Sequence, residues 1–287
     1  MALLRASNWP LSWPLALLGL AALGYYLGGR AGVGRPDAVK RGRGAAFYGG
    51  ILVLALAIGS PVDAYADSLF WVHMVQHVLL TMVAPPLLLL GRPWPRIVRP
   101  LPLALRRPLA RAVLAGPTLA PVRRAARGLS EPIAAFVLFN GTFLLWHVPA
   151  LYDLTLRSET VHDLEHALFF GTAVLFWQHL VPTARPRLGD LGRVVYGTAA
   201  VLVGWALAVV LGLASSPAYG AYAELTSRPG GLSALADQQL AAGVMWVPGS
   251  VPLTIAVLYA AYRWLEPAET RGRGRRLAAD DLRPRET

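Results

Sequence analysis

His73 and His77 stand four residues apart within SPVDAYADSLFWVHMVQHVLLTMVAPPLLLLG, residues 60–91. On a helix, that spacing projects both imidazoles from one face, where both can reach a single metal ion. His162 and His166 repeat the spacing in VHDLEHALFF, and His147 lies in LLWHVPALYD. With no cysteine in the chain, a metal here would be held by imidazole, carboxylate or thioether, donors that suit copper or zinc. Asp63, Asp67, Asp163 and Glu165 accompany the histidines and could ligate or orient the rings. Met74 adjoins His73, but neighbours on a helix point about 100° apart, so packing is its first expected role and cuprous ligation its second. Met82 and Met245 are expected to pack.

Elements that position these residues must be apolar. Of 287 residues, 55% are hydrophobic and only 15% charged, the composition of a polytopic membrane domain. Apolar runs fall at about residues 11–28, 45–60, 69–91, 131–150, 161–181, 194–213 and 237–264. The expectation is an all-α fold with seven transmembrane helices. Residues 1–265 should form one domain, and 266–287 a basic, disordered cytoplasmic tail. Thr160 and Asp163 suggest a capping pair opening the fifth helix at about Val161. Pro85 with Pro86, and Pro248 with Gly249, should break the third and seventh spans. A cleaved signal peptide competes for the first run, but the basic segment 29–44 behind it favours retention.

Charge sets the topology. With the amino terminus outside and the carboxyl terminus cytoplasmic, 24 of the 27 Lys and Arg residues fall inside, leaving Arg5, Arg157 and Arg228 outside. The net charge of +11 therefore reads as cytoplasmic loops lying against anionic lipid, and no nucleic-acid motif accompanies it. At ~1.5 Å per residue, His73, His77, His147, His162 and His166 lie roughly 3 to 13 Å below the outer surface, in one layer. A lone interfacial imidazole is usually a hydrogen-bonded packing residue. Five from three helices at one depth instead point to a metal or haem site. His179 lies near the inner end of its helix, apart from the others.

Three blocks carry a family resemblance: residues 60–93, LWHVPALYDLTL followed by VHDLEHALFFGTAVLFWQHLV, and ADQQLAAGVMWVPGSVP. In that order they resemble the CtaG-like assembly factors of caa-type cytochrome c oxidases. The resemblance covers about residues 60–265. It implies a multi-pass protein of the bacterial cell (inner) membrane that helps mature the oxidase by supplying copper to its copper centre, with oxidase subunits and membrane lipids as partners. The family's histidines match His73, His77, His147, His162 and His166, and its polar block on the last span matches Asp237 and Gln238.

Copper is the expected ion, ahead of zinc or haem, in a non-enzymatic protein. A copper transporter and a metal-free assembly chaperone are the alternatives. His162, Glu165 and His166 also fit the H-x-x-E-H pattern of inverted zinc peptidases, a match that lacks a clear third ligand. A retinal-type receptor is excluded because the only lysine, Lys40, lies in a loop, and no H-x-x-H-H box supports a desaturase.

Overall fold

A computed structural model of the chain describes residues 13–30, 38–182 and 187–266. The basic tail beyond Glu266, the start of the first span and Arg185 lie outside the described residues. Every regular element among those described is helical. The first half contains α1 (Trp13–Arg30), α2 (Ala38–Ile58), α3 (Pro61–Ala66), α4 (Phe70–Val78), a π turn (Leu79–Val83) and α5 (Ala84–Gly91). The arginine-rich segment that follows forms α6 (Pro93–Ile97), α7 (Leu103–Leu114) and α8 (Ala120–Leu129) rather than an irregular loop. The second half contains α9 (Pro132–Trp146), α10 (Pro149–Arg157), α11 (Glu159–Trp177), α12 (Asp190–Gly212), α13 (Gly220–Ala223), a single 3-10 turn (Pro229–Gly231), α14 (Ala234–Trp246) and α15 (Val251–Leu265).

Four helical stretches are long and apolar enough to cross a membrane: Gly42–Ala66, Phe70–Gly91, Asp190–Gly212 and Ala234–Leu265. A fifth is reached if α8 and α9, bent by 75° at their junction, count as one span. The number read from the sequence was seven. Two of the expected spans are present as helices, α1 with 18 residues and α11 with 19, outside that set. In α11 the cause is chemical: Glu159, His162, Asp163, Glu165 and His166 occupy five of its first eight positions and dilute its apolar character.

Prolines set the local geometry as expected, and the structure shows how the freed backbone groups are satisfied. Pro85 has no N–H to offer the carbonyl of Thr81 four residues back. The indole N–H of Trp177, on α11, donates to that carbonyl at 2.8 Å. Just upstream, Ala84 N–H reaches the Leu79 carbonyl, the i→i+5 bond of a π turn. The helix therefore continues past two prolines, with α11 supplying the missing donor. In the last span, α14 ends at Trp246 and α15 starts at Val251, bracketing Pro248 and Gly249.

Two boundaries differ from the sequence reading. The span expected over 131–150 stops at Trp146, because Pro149 cannot extend it and instead sits in the first turn of α10. The fifth helix starts at Glu159, not at 161. Ser158, extended at φ −143° and ψ 110°, ends α10 and opens α11 without a side-chain cap, so Thr160 lies inside the helix and no Thr160–Asp163 cap forms.

Packing places α4 centrally, against α3, α14 and α2, while α11 packs on α9, α10 and the π turn, and α12 packs on α14 and α15. Gly91 lets α5 approach α2, since a Cβ there would fall 2.6 Å from the Phe47 Cβ. One apolar cluster joins Phe70 and Met74 of α4 to Tyr152 of α10, Tyr219 and Tyr222 of the α12–α14 connection, and Met245 of α14. The functional side chains lie against that cluster.

Candidate metal centre

His73 and His77 project from α4 toward α11, whose first turns carry His162, Glu165 and His166. Donor atoms of these five residues all lie within 4.8 Å of one another. His73 and Glu165 are fully buried, and His77 nearly so. His73 Nε2 and His77 Nε2 are 2.9 Å apart, and Glu165 Oε2 is 3.8 and 3.7 Å from them respectively. The His162 and His166 rings are 4.1 Å apart, and the His73 and His162 rings 5.0 Å.

Hydrogen bonding fixes one tautomer. The Tyr222 hydroxyl donates to the Ala66 carbonyl at 2.5 Å, so toward His73 it acts as acceptor. His73 Nδ1–H donates to it at 3.1 Å, which leaves His73 Nε2 unprotonated, facing the cluster and 2.9 Å from His77 Nε2. Burial pushes the Tyr222 hydroxyl well above the ordinary phenol range, so it keeps its proton and this chain keeps its direction.

Other donor atoms have no partner at all. His162 Nε2, His166 Nε2 and both Glu165 oxygens are buried without a hydrogen bond. Such atoms cost about 1–3 kcal/mol each when unsatisfied, so four of them gathered beside His73 and His77 need a common explanation. A cation coordinated by imidazole and carboxylate satisfies them together, and the donor set fits a divalent transition metal. The residues present therefore fit a metal.

α4 is held in place from another helix. Leu69 supplies no side-chain cap, and the free N–H groups of Phe70 and Trp71 donate instead to Asp237 Oδ2 and Oδ1 at 2.9 and 3.0 Å. Arg228 lies 3.9 Å from the same carboxylate and donates to the Tyr222 carbonyl. Gln238 accepts from Ala218 N–H and donates to the Leu211 carbonyl, tying α14 to the connection that carries Tyr222. Asp63 accepts from Gln76 at 2.7 Å, which ties α4 to α3 beside the cluster face. Asp237, Gln238 and Asp63 thus act on the backbone and on supporting side chains, while Asp163 is exposed on α11. Asp67 acts on His162 electrostatically.

His147 is near the cluster but outside it. Its ring centroid is 6.4 Å from that of His77, and its Nδ1–H donates to the Phe143 carbonyl at 2.7 Å, leaving Nε2 buried and unpartnered. Glu165 takes the place among the grouped donors that the sequence reading gave to His147. Met74 packs in the apolar cluster beside Phe70. Tyr222 was missed by sequence reasoning, since nothing in the Gly-, Pro- and Ser-rich connection marks one tyrosine as the partner of His73.

A helical membrane protein that buries a histidine–carboxylate cluster between two of its helices is the class defined by this fold and site. The chain belongs to the cytochrome c oxidase caa3 assembly factor family, whose profile matches residues 23–267. Similar proteins include uncharacterized protein Mb0105 of Mycobacterium bovis and uncharacterized protein MT0111 of Mycobacterium tuberculosis. Each is 30% identical over 248 residues, covering 85% of this chain and 37% of the relative. Uncharacterized protein ML1998 of Mycobacterium leprae is 26% identical over 228 residues, 78% of this chain and 34% of its own. The chain thus spans little more than a third of the length of these relatives. No solved structure matches it.

Proposed function

We propose that this chain supports cytochrome c oxidase assembly by holding copper at His73, His77, His162, Glu165 and His166 and delivering it toward the oxidase copper centre. The observation that carries this reading is the convergence of His73 and His77 of α4 on the unpartnered buried nitrogens and carboxylate oxygens of His162, Glu165 and His166 on α11. A metal-free chaperone would leave these atoms unsatisfied, at a cost an apolar core would avoid. Copper is favoured among divalent ions by imidazole-rich donors and by the place of copper in the oxidase whose assembly the family serves.

The same proposal includes seven spans in residues 1–265, with the amino terminus outside and the cluster in the outer leaflet of the bacterial inner membrane. The one-sided distribution of Lys and Arg supports this topology. From that position copper would be accepted from the outer compartment and passed laterally to a partner in the membrane.

Metal content of the detergent-purified protein, after copper loading and desalting, tests the reading beside His73→Ala/His77→Ala. Near-stoichiometric copper in the parent and its loss in the variant is the expected result. Negligible copper in both overturns it in favour of a metal-free chaperone. Copper uptake into proteoliposomes would overturn the delivery step in favour of transport.

A further inference from the structure

The three methionines of the described residues meet at one cavity beside the histidine cluster. Met74 of α4, Met82 of the π turn and Met245 of α14 line it, and His77 and His147 form part of its wall. Its α4 side follows one helix face, with Met74, His77, Val78, Thr81 and Met82 at i, i+3, i+4, i+7 and i+8. The volume is about 50 Å³, enough for an ion with a water molecule. No carboxylate lines it.

Two features set this cavity apart from ordinary apolar packing. His147 is 5% exposed and its Nε2 has no hydrogen-bond partner, its Nδ1–H being committed to Phe143. His77, also 5% exposed, has an unpartnered Nδ1, while its Nε2 faces His73 and Glu165. The cavity therefore combines soft, neutral thioethers with bare imidazole nitrogens and shares the His77 ring with the cluster. Thioethers select cuprous ion over divalent metals, and the absence of a carboxylate suits a monovalent charge.

We infer that this cavity is a second metal station, for a soft monovalent cation such as copper(I) taken up in that oxidation state, with Met74, Met82, Met245 and His147 as the donors available in its wall. This deepens the proposed function and rests on it for the identity of the natural ion. The two stations divide the donors by hardness: imidazole and carboxylate in the cluster, thioether with one imidazole in the cavity.

Silver(I), a redox-inert stand-in for copper(I), is the probe. It would be titrated into the purified full chain, with X-ray absorption reporting the neighbours of the bound ion. The parent is expected to hold silver with sulfur neighbours. Met74→Leu/Met82→Leu/Met245→Leu, nearly volume-conserving, should lose the sulfur signal and bind silver at least tenfold more weakly while retaining copper(II) at the cluster. The single Met82→Leu variant should lose part of the sulfur signal with still less disturbance to packing. His162→Ala/His166→Ala, which leaves the cavity lining untouched, should keep sulfur-bound silver. Silver with only nitrogen or oxygen neighbours in the parent, or full affinity in the triple-leucine variant, overturns the inference. Sulfur-bound silver in a parent that binds no copper(II) would sink the proposed cluster function and leave the cavity station standing.

Discussion

His73 Nδ1 lies 3.1 Å from the Tyr222 hydroxyl, which in turn donates to the Ala66 carbonyl. This pair joins a site on α4 to a connection about 150 residues later in the chain and decides which His73 nitrogen is free. Removing an outer partner of this kind typically costs 10–100-fold in metal affinity. Tyr222→Phe should therefore weaken copper binding about 10–100-fold without changing the stoichiometry, measured by competition with a chelator. Unchanged affinity would mean that His73 does not depend on this bond to present Nε2.

Glu165 predicts effects of opposite sign in the two states of the protein. Its carboxylate is fully buried and both oxygens lack hydrogen bonds. Without metal, Glu165→Gln removes an unsatisfied ionisable group and should leave the melting temperature unchanged or higher. With copper bound, the same change removes a negative ligand, and the thermal stabilisation that copper gives should shrink. Equal stabilisation of parent and variant by copper would show that Glu165 is not a ligand.

Asp237 receives two N–H groups at the start of α4, two residues upstream of His73. Loss of a helix cap costs about 0.5–2 kcal/mol, and here Arg228 would also lose its carboxylate. Asp237→Ala should lower thermal stability by about 2 kcal/mol, with Asp237→Asn recovering part of it because an amide oxygen still accepts one bond. If Asp237 were instead a metal ligand, the loss would appear only in the copper-loaded protein.

The histidine pairs were legible in the sequence because the four-residue spacing is a local property of one helix, and each pair needs only that helix to form. The interruption at Pro248 was legible for the same reason, whereas at Pro85 the helix runs on through a π turn because Trp177 supplies the missing donor. Asp237 and Gln238 could be singled out as polar residues in an apolar span, but not their roles, because their partners are Phe70, Trp71, Ala218 and Leu211 on other elements. Tyr222 was hidden more completely. A tyrosine in a polar connection has no periodicity, and only tertiary packing brings it to His73. Glu165 groups with the four histidine donors for a geometric reason, since it follows the His162 and His166 face of a continuing helix, while α9 ends one residue before His147 and leaves that ring 6.4 Å from His77. Four or five of the seven expected spans stand out by length and apolar character, and α11 does not because the site residues crowd its first turns.

The strongest test of the membrane-core geometry joins Pro85 and Trp177. The Trp177 indole N–H takes the Thr81 carbonyl that Pro85 cannot bond. Trp177→Phe keeps an aromatic ring but strands that carbonyl, at a cost of about 1–3 kcal/mol in thermal or denaturant unfolding. Pro85→Ala restores a backbone donor four residues after Thr81 and permits an ordinary α-helical bond there. In the Trp177→Phe background it should recover about 1 kcal/mol or more, a non-additivity expected only when two residues serve the same acceptor. Strict additivity would mean that the π turn persists without either residue and that the indole bond is not what holds the helix together past its two prolines.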